Sequence, residues 1–120
     1  MKTEEKIQEL QMTEQNLQNI VLQKQQFQTE LIEIENALKE LKGWEFGDDA
    51  IHTSFEFNNF KEAFSVMTRI AFEAEAQQHH PEWTNVYNEL SITLSTHDAG
   101  GVTEKDIEMA KTIEDIIDAD

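Results

Sequence analysis

The sequence predicts an α+β fold: an antiparallel four-stranded sheet with helices packed on one face, preceded by a long N-terminal coiled-coil helix. Three observations support this class. The first 42 residues contain no Pro or Gly and repeat their apolar residues with heptad spacing. Residues 51–57 and 89–95 alternate apolar and polar side chains, which is typical of half-buried strands. The order helix, strand, helix, strands, helix favours helices that cover one side of an antiparallel sheet.

The N-terminal stretch is predicted to form one helix from about Thr3 to Lys42. Lys24 and Thr13 interrupt an otherwise apolar heptad seam. The apolar seam residues are Leu10, Leu17, Leu31 and Leu38 at one position, and Ile20, Phe27, Ile34 and Leu41 at the other. Because a lone helix of about 60 Å cannot bury this seam, we expect it to pair with another helix. The alternative is a solvated tail whose last two turns dock on the domain.

A turn-rich segment at residues 43–49 separates this helix from the first strand, residues 51–57. A second helix is expected to begin after Asn58 or Asn59 and to end before His79-His80-Pro81, because Pro81 cannot continue a helix. Its expected buried stripe consists of Phe60, Phe64, Met67, Ala71 and Ala74.

A short strand around Trp83–Tyr87 precedes the clearest strand of the chain, which is expected to run to Thr96 and to place His97 on its polar face. After a Gly-containing turn, Thr103 and Asp106 have the spacing of a capping box at the start of a last helix. The apolar stripe expected for this helix consists of Ile107, Ala110, Ile113 and Ile117.

Composition and charge indicate one ordinary domain with an appendage. The 120 residues are 38% hydrophobic and carry a formal charge of −16, of which −13 lies on residues 44–120. Such acidity repels phosphates, so we expect neither nucleic acid nor membranes as partners. The absence of Cys excludes disulfides and thiolate sites, and no apolar run is long enough for a membrane span. We therefore expect a cytoplasmic protein with a coiled-coil helix at residues 1–42 and a domain at residues 43–120.

Three of the four histidines, His79, His80 and His97, lie near the ends of predicted elements. A metal site is one interpretation, although the adjacent His79 and His80 would point in different directions on an extended backbone. A second is acid/base catalysis, because imidazole exchanges protons near neutral pH and Trp83 offers a stacking surface. A third is a set of exposed histidines favoured by a helix C-terminus. Spacing alone leaves these interpretations open.

Three strings surround these histidines: HHPEW at residues 79–83, NVYN at residues 85–88 and LSTH at residues 94–97. Together with Gly43-Trp44, they resemble the pterin-4a-carbinolamine dehydratases over about residues 38–117. The resemblance implies an enzyme that removes water from 4a-hydroxytetrahydrobiopterin, or a related 4a-carbinolamine, to give a quinonoid dihydropterin. It implies that neither a metal nor a cofactor takes part.

The resemblance also implies roles for individual residues. The expected catalytic residues are His79, His80 and His97, and the expected substrate-binding residues are Glu75, Pro81, Trp83, Ser95 and Asp106. One histidine would protonate the 4a-hydroxyl group while another accepts the N5 proton, with the assignment left open. Family members are usually dimers or tetramers, so a homo-oligomer with a pterin substrate is expected.

Residues 12–41 resemble the N-terminal coiled-coil helix of an archaeal prefoldin β-type subunit. The Gln-rich heptads carry this similarity, and Met12-Thr13 would be a natural start for such a protein. The β-hairpin and returning helix of a prefoldin are absent from the sequence. We therefore hypothesise a chimera, natural or engineered, in which a prefoldin-like helix continues into a dehydratase. In the alternative function, the dehydratase domain is an oligomeric hub and its activity is incidental.

Overall fold

A computed structural model describes residues 2–119 and confirms the predicted α+β class. Four strands and three α-helices follow the predicted order, except that an additional short strand precedes the first predicted one. They are α1 (Lys2–Glu40), β1 (Glu45–Gly47), β2 (Ala50–Glu56), α2 (Phe60–Gln77), β3 (Glu82–Val86), β4 (Glu89–Leu94) and α3 (Glu104–Asp118), with a short 3₁₀ helix at His97–Ala99. Backbone contacts divide the chain into two units, residues 1–33 and residues 34–120.

The first unit consists of most of α1, and its apolar seam is open to solvent. Leu10, Leu17 and Phe27 are 66%, 57% and 61% exposed, respectively. No residue of α1 is buried. The predicted long helix is therefore confirmed, whereas its pairing with a second helix stays a prediction. Over residues 2–119, no helix has the length and apolar character needed to cross a membrane.

The sheet of the second unit has the strand order β1-β2-β4-β3, and every neighbouring pair is antiparallel. Ile92 at the centre of β4 lies opposite Thr53 of β2 and Trp83 of β3. Strand β1 lies inside the segment predicted to be a turn, so that prediction was too broad. Asp48 and Asp49 both have positive φ angles, 52° and 57°, which confine the turn to two residues and let Glu45–Gly47 pair with β2.

The core of the second unit forms where α2 and α3 cover one face of the sheet. Its largest fully buried apolar residues are Ile51, Leu90, Ile92 and Leu94 from the sheet, Val66 and Ile70 from α2, and Met109 and Ile113 from α3. Trp44 is 6% exposed, and its indole Nε1–H donates a hydrogen bond to Glu114 Oε1 at 2.8 Å. The segment after α1 is thereby fixed to the last helix.

The buried face of α2 differs from the predicted stripe. The buried residues are Ala63, Val66, Ile70 and Ala74, whereas Phe60, Phe64 and Ala71 are exposed and Met67 is half-buried. Only Ala74 was predicted correctly as buried. The helix carries two apolar faces, and the one with smaller side chains packs closely on the sheet, which leaves the phenylalanines on the opposite side. The stripe predicted for α3 is confirmed at Ile107, Ala110 and Ile113, and Ile117 is half-buried.

Candidate functional site

The C-terminal end of α2 determines where His79 and His80 lie. Gln78 adopts a left-handed conformation with φ of 53°, and the His79 N–H donates to the Ala74 carbonyl oxygen at 3.1 Å. This six-residue hydrogen bond is the mark of a Schellman motif, which turns the chain sharply away from the helix axis. Pro81 then prevents any continuation of the helix. The two adjacent histidines leave this turn toward two different carboxylates.

His79 forms the more buried of these two pairs. Its Nε2 atom lies 2.5 Å from Asp106 Oδ1, and the side chains of His79 and Asp106 are 11% and 0% exposed. A carboxylate that is removed from water requires hydrogen-bond donors at both oxygens. His79 Nε2–H is the donor at Oδ1, which leaves Nδ1 as the ring atom able to exchange a proton with a ligand.

The second oxygen of Asp106 connects the pair to the start of α3. Oδ2 accepts hydrogen bonds from the Thr103 backbone N–H and the Thr96 hydroxyl, both at 2.8 Å. Thr103 is the N-cap of α3, and Asp106 completes its capping box, as predicted. One carboxylate therefore caps the last helix and also holds His79.

His80 forms a second pair in a different environment. Its Nε2 atom lies 2.5 Å from Oε1 of Glu75, a residue in the last turn of α2. These side chains are 60% and 72% exposed, so water screens their attraction. The two pairs thus combine the same chemical groups with unequal shielding from solvent.

The position of His97 differs from the prediction. Strand β4 ends at Leu94 instead of Thr96, and His97 begins the 3₁₀ helix, so the alternation of the strand does not reach it. The cause is a bridge between Thr96 and Gly101, in which the Thr96 N–H donates to the Gly101 carbonyl oxygen at 2.9 Å. Gly100, with φ of 70°, completes the tight loop. His97 is exposed on this loop.

An apolar groove lies beside the His80 pair. It has a volume of about 390 Å³ and is lined by Phe64, Met67, Thr68, Ala71, Phe72, Glu75 and Trp83. Glu75 and Trp83 were both predicted as substrate-binding residues. Pro81 and Ser95, the other predicted residues of this kind, are half-buried next to His80 and at the end of β4. The histidines themselves are not among the residues that line the groove.

The structure brings the predicted residues together in two sets. Asp106 joins His79 to the loop of His97 through Thr96, and Glu75 joins His80 to the groove with Trp83. Thr96 was missed at the level of sequence, because a hydroxyl at the end of a strand has no characteristic spacing. Thr103 was recognised only as a helix cap. Among residues 2–119, no group of three His, Asp or Glu side chains is arranged to hold a metal ion.

Comparison with known proteins assigns the chain to a family. Residues 27–116 match the family described as Pterin 4 alpha carbinolamine dehydratase. A relative from Christiangramia forsetii that carries this dehydratase name is 67% identical over 87 residues, which is 72% of this chain and 90% of the relative. Another from Opitutus terrae is 53% identical over 85 residues, covering 70% of this chain and 88% of the relative.

A solved structure agrees with the sequence relatives. The transcriptional coactivator/pterin dehydratase from Brucella melitensis is 46% identical, with a TM-score of 0.67 over 69% of this chain and 90% of that one. The dehydratase class predicted from the sequence is thereby confirmed. The chain belongs to the pterin-4a-carbinolamine dehydratase family.

Proposed function

We propose that this chain catalyses the dehydration of a pterin-4a-carbinolamine, such as 4a-hydroxytetrahydrobiopterin, to a quinonoid dihydropterin. The observation that carries the proposal is the pairing of two adjacent histidines with two carboxylates, Asp106 and Glu75. In the reaction the C4a–O bond and the N5–H bond break, a C4a=N5 double bond forms, and water leaves. The hydroxyl group must gain a proton as N5 loses one, which is work for an acid and a base together.

The geometry supports His79 as the base. With Nε2–H donated to buried Asp106, its Nδ1 atom is the proton acceptor, and the carboxylate stabilises the imidazolium that forms. His80 and His97 are exposed, and one of them supplies the proton to the departing hydroxyl group.

We propose that the pterin ring binds where Glu75 and Trp83 meet, at the end of the groove nearest the C-terminus of α2. The exposed edge of the groove is apolar, and its volume of about 390 Å³ suits a bicyclic ring. Trp83 offers a flat surface for stacking. In the sequence, Pro81 directly follows His80, and Ser95 lies two residues before His97. The ring is close to neutral, so the formal charge of −16 does not oppose its binding.

The direct test is a dehydratase assay on the purified full-length chain. We expect it to convert 4a-hydroxytetrahydrobiopterin to the quinonoid dihydropterin faster than the spontaneous reaction, as followed by ultraviolet absorbance. Serum albumin at the same mass concentration is the control for nonspecific catalysis. A rate equal to the spontaneous rate would reject the proposed activity.

A second proposed role concerns assembly, and the open seam of α1 favours it. We propose a homo-oligomer, a dimer or tetramer through the dehydratase domain at residues 43–120, with further pairing through the coiled-coil helix at residues 1–42. Phe60 is 47% exposed on α2 and does not line the proposed pterin groove, so it provides apolar area for contacts between domains. The alternative function goes one step further: the dehydratase domain is an oligomeric hub, assembly is the purpose of the protein, and its activity is incidental.

Truncation tests the contribution of α1 to assembly. A variant that starts at Ile32 is expected to have fewer subunits than the full chain by multi-angle light scattering, because it lacks most of the heptad seam. In the full-length protein, replacing Leu17 and Phe27 with Glu is expected to have the same effect. The matched control replaces Gln18 and Gln25, which lie outside the seam, with Glu. If the truncated variant and the Leu17/Phe27 double variant both keep the subunit number of the full chain, pairing through α1 is contradicted.

Three expectations from the sequence remain predictions. These are the prefoldin-like origin of the N-terminal helix, the chimeric join to the dehydratase, and the cytoplasmic location. The Gln-rich heptad and the polar, Cys-free composition support them.

A further inference from the structure

Thr96 occupies a position that the proposed reaction does not yet explain. Its hydroxyl lies 2.8 Å from Asp106 Oδ2 and 2.7 Å from the Thr103 hydroxyl. Its backbone pairs with Gly101 and so closes the loop that carries His97. We propose that Thr96 is a positioning residue that holds two of the three histidines, His79 through Asp106 and His97 through the loop. This inference rests on the proposed dehydratase function.

The hydrogen bonds around Thr96 form a chain in which each hydroxyl donates toward Asp106. An ionised carboxylate accepts hydrogen bonds and does not donate them, so the Thr96 hydroxyl must donate to Asp106. Its lone pair is then free to accept from the Thr103 hydroxyl, and Thr103 Oγ1 in turn accepts from the Lys105 N–H at 3.3 Å. Bonds aligned in this way polarise and strengthen one another.

The burial of Asp106 makes this alignment important for His79. The Asp106 side chain is fully buried, and a carboxylate with one tethered oxygen can rotate about its last bond. Two donors at Oδ2, the Thr103 N–H and the Thr96 hydroxyl, fix that rotation and direct Oδ1 at His79. Without the Thr96 hydroxyl, only the backbone donor would remain at Oδ2. The ring of His79 would then be held less accurately.

The loop that carries His97 provides an independent reason to assign a positioning role to Thr96. Thr96 accepts from the Ala99 N–H at 3.1 Å and the Gly101 N–H at 3.3 Å through its carbonyl oxygen. His97 follows it directly in the sequence. A shift of Thr96 toward or away from Asp106 therefore moves the loop of His97 as well. The side chain of Thr96 contacts Asp106 and its backbone contacts the loop, so this one residue keeps the spacing between His79 and His97 constant.

The test compares Thr96→Val, which keeps the shape but removes the hydroxyl, with Thr96→Ser, which keeps the hydroxyl. We expect Thr96→Val to lower kcat about 10-fold to 100-fold, by analogy with the loss of a hydrogen-bond partner that orients a metal ligand. KM should stay within about twofold, because the substrate is not contacted. Thr96→Ser should recover most of the lost kcat. In nuclear magnetic resonance spectra, the imidazole ¹⁵N and ¹H signals of His79 should shift in Thr96→Val, while those of His80 stay in place.

Thr53→Val is the matched control for a general loss of stability. Thr53 is 8% exposed, and its hydroxyl donates to the Gly43 carbonyl oxygen at 2.8 Å, so the Thr53→Val variant also loses a partly buried hydrogen bond. Its kcat should stay unchanged. If Thr96→Val does not fold, Thr96→Cys replaces it, since a thiol donates only weakly, and its kcat should be lower than that of Thr96→Ser.

Three results would overturn the proposal. One is a wild-type kcat and an unshifted His79 signal in Thr96→Val, or a wild-type kcat in Thr96→Cys if that variant is used. The others are an equal loss of kcat in Thr96→Val and Thr53→Val, and a failure of Thr96→Ser to recover activity. An inactive wild-type chain would reject the dehydratase function instead. The His79 signal would still decide whether Thr96 positions that ring.

Discussion

Replacing His79 with alanine is expected to lower kcat/KM for dehydration about 10²-fold or more, the contribution of one well-placed acid or base. His79 is the histidine with the most complete support, since its partner Asp106 is buried and is held from two other directions. An alanine at this position removes the Nδ1 atom that is proposed to receive the N5 proton. Steady-state rates with 4a-hydroxytetrahydrobiopterin, corrected for the spontaneous reaction, give the measurement.

The fourth histidine provides the matched control. The ring of His52 lies between the Gly47 carbonyl oxygen, 2.8 Å from Nε2, and the Thr93 hydroxyl, 3.0 Å from Nδ1. These bonds connect β1 to the rest of the sheet and belong to neither carboxylate pair. His52→Ala should therefore keep its kcat while losing some resistance to urea. Equal losses of activity in the two variants would show that His79 has no special part in the reaction.

Asp106→Asn is the second substitution with a large expected effect, about 10²-fold to 10⁴-fold in kcat, by analogy with the aspartate of a serine-protease triad. The amide has only one oxygen that accepts hydrogen bonds. The Thr96 hydroxyl and the Thr103 N–H, which donate to Oδ2 of Asp106, are expected to donate to this oxygen. The NH₂ group then faces His79 Nε2, which must give up its proton. The ring changes to the tautomer protonated at Nδ1, and the proposed base is lost.

Stability measurements separate this effect from a loss of the helix cap. Asp106→Asn keeps an acceptor for the start of α3 and should be less destabilised than Asp106→Ala. The alanine variant leaves buried donors unpaired and is expected to lose about 2–4 kcal/mol of unfolding free energy in urea. Glu104 is an exposed residue of the same turn, so Glu104→Gln is the control. It should change neither kcat nor the unfolding free energy. Full activity in Asp106→Asn would contradict the role of the carboxylate.

Most of the fold could be predicted because its elements have strong local signals. Strand β4 alternates cleanly, and Thr103 with Asp106 marks the start of α3. The buried face of α2 could not be predicted, because two apolar faces compete and the larger side chains, such as Phe64, are the wrong choice. Which face packs on the sheet depends on how closely the helix can approach it, and this is a property of the tertiary structure.

The residues of the candidate site could be predicted, but the pairing of each histidine with its carboxylate could not. The resemblance to dehydratases implied His79, His80 and Asp106, yet neither spacing nor composition says which histidine meets which carboxylate. That choice depends on the left-handed conformation of Gln78, a residue with no particular preference for it. The end of β4 at Leu94 could not be predicted from the sequence either, because it depends on the bridge between Thr96 and Gly101, which is a contact across a loop.

The double use of Asp106 ties the proposed chemistry to local opening of the protein. Its two oxygens serve the first turn of α3 and His79 at the same time. A helix end frays at a much lower free energy than the whole domain unfolds. If this one turn opens, Asp106 separates from His79, and Ile107 is the core residue that moves with it while the sheet and α2 keep their packing. The fraction of molecules competent for catalysis is then set by the stability of a single helical turn, and a protein that is fully folded by global measures could still be partly inactive.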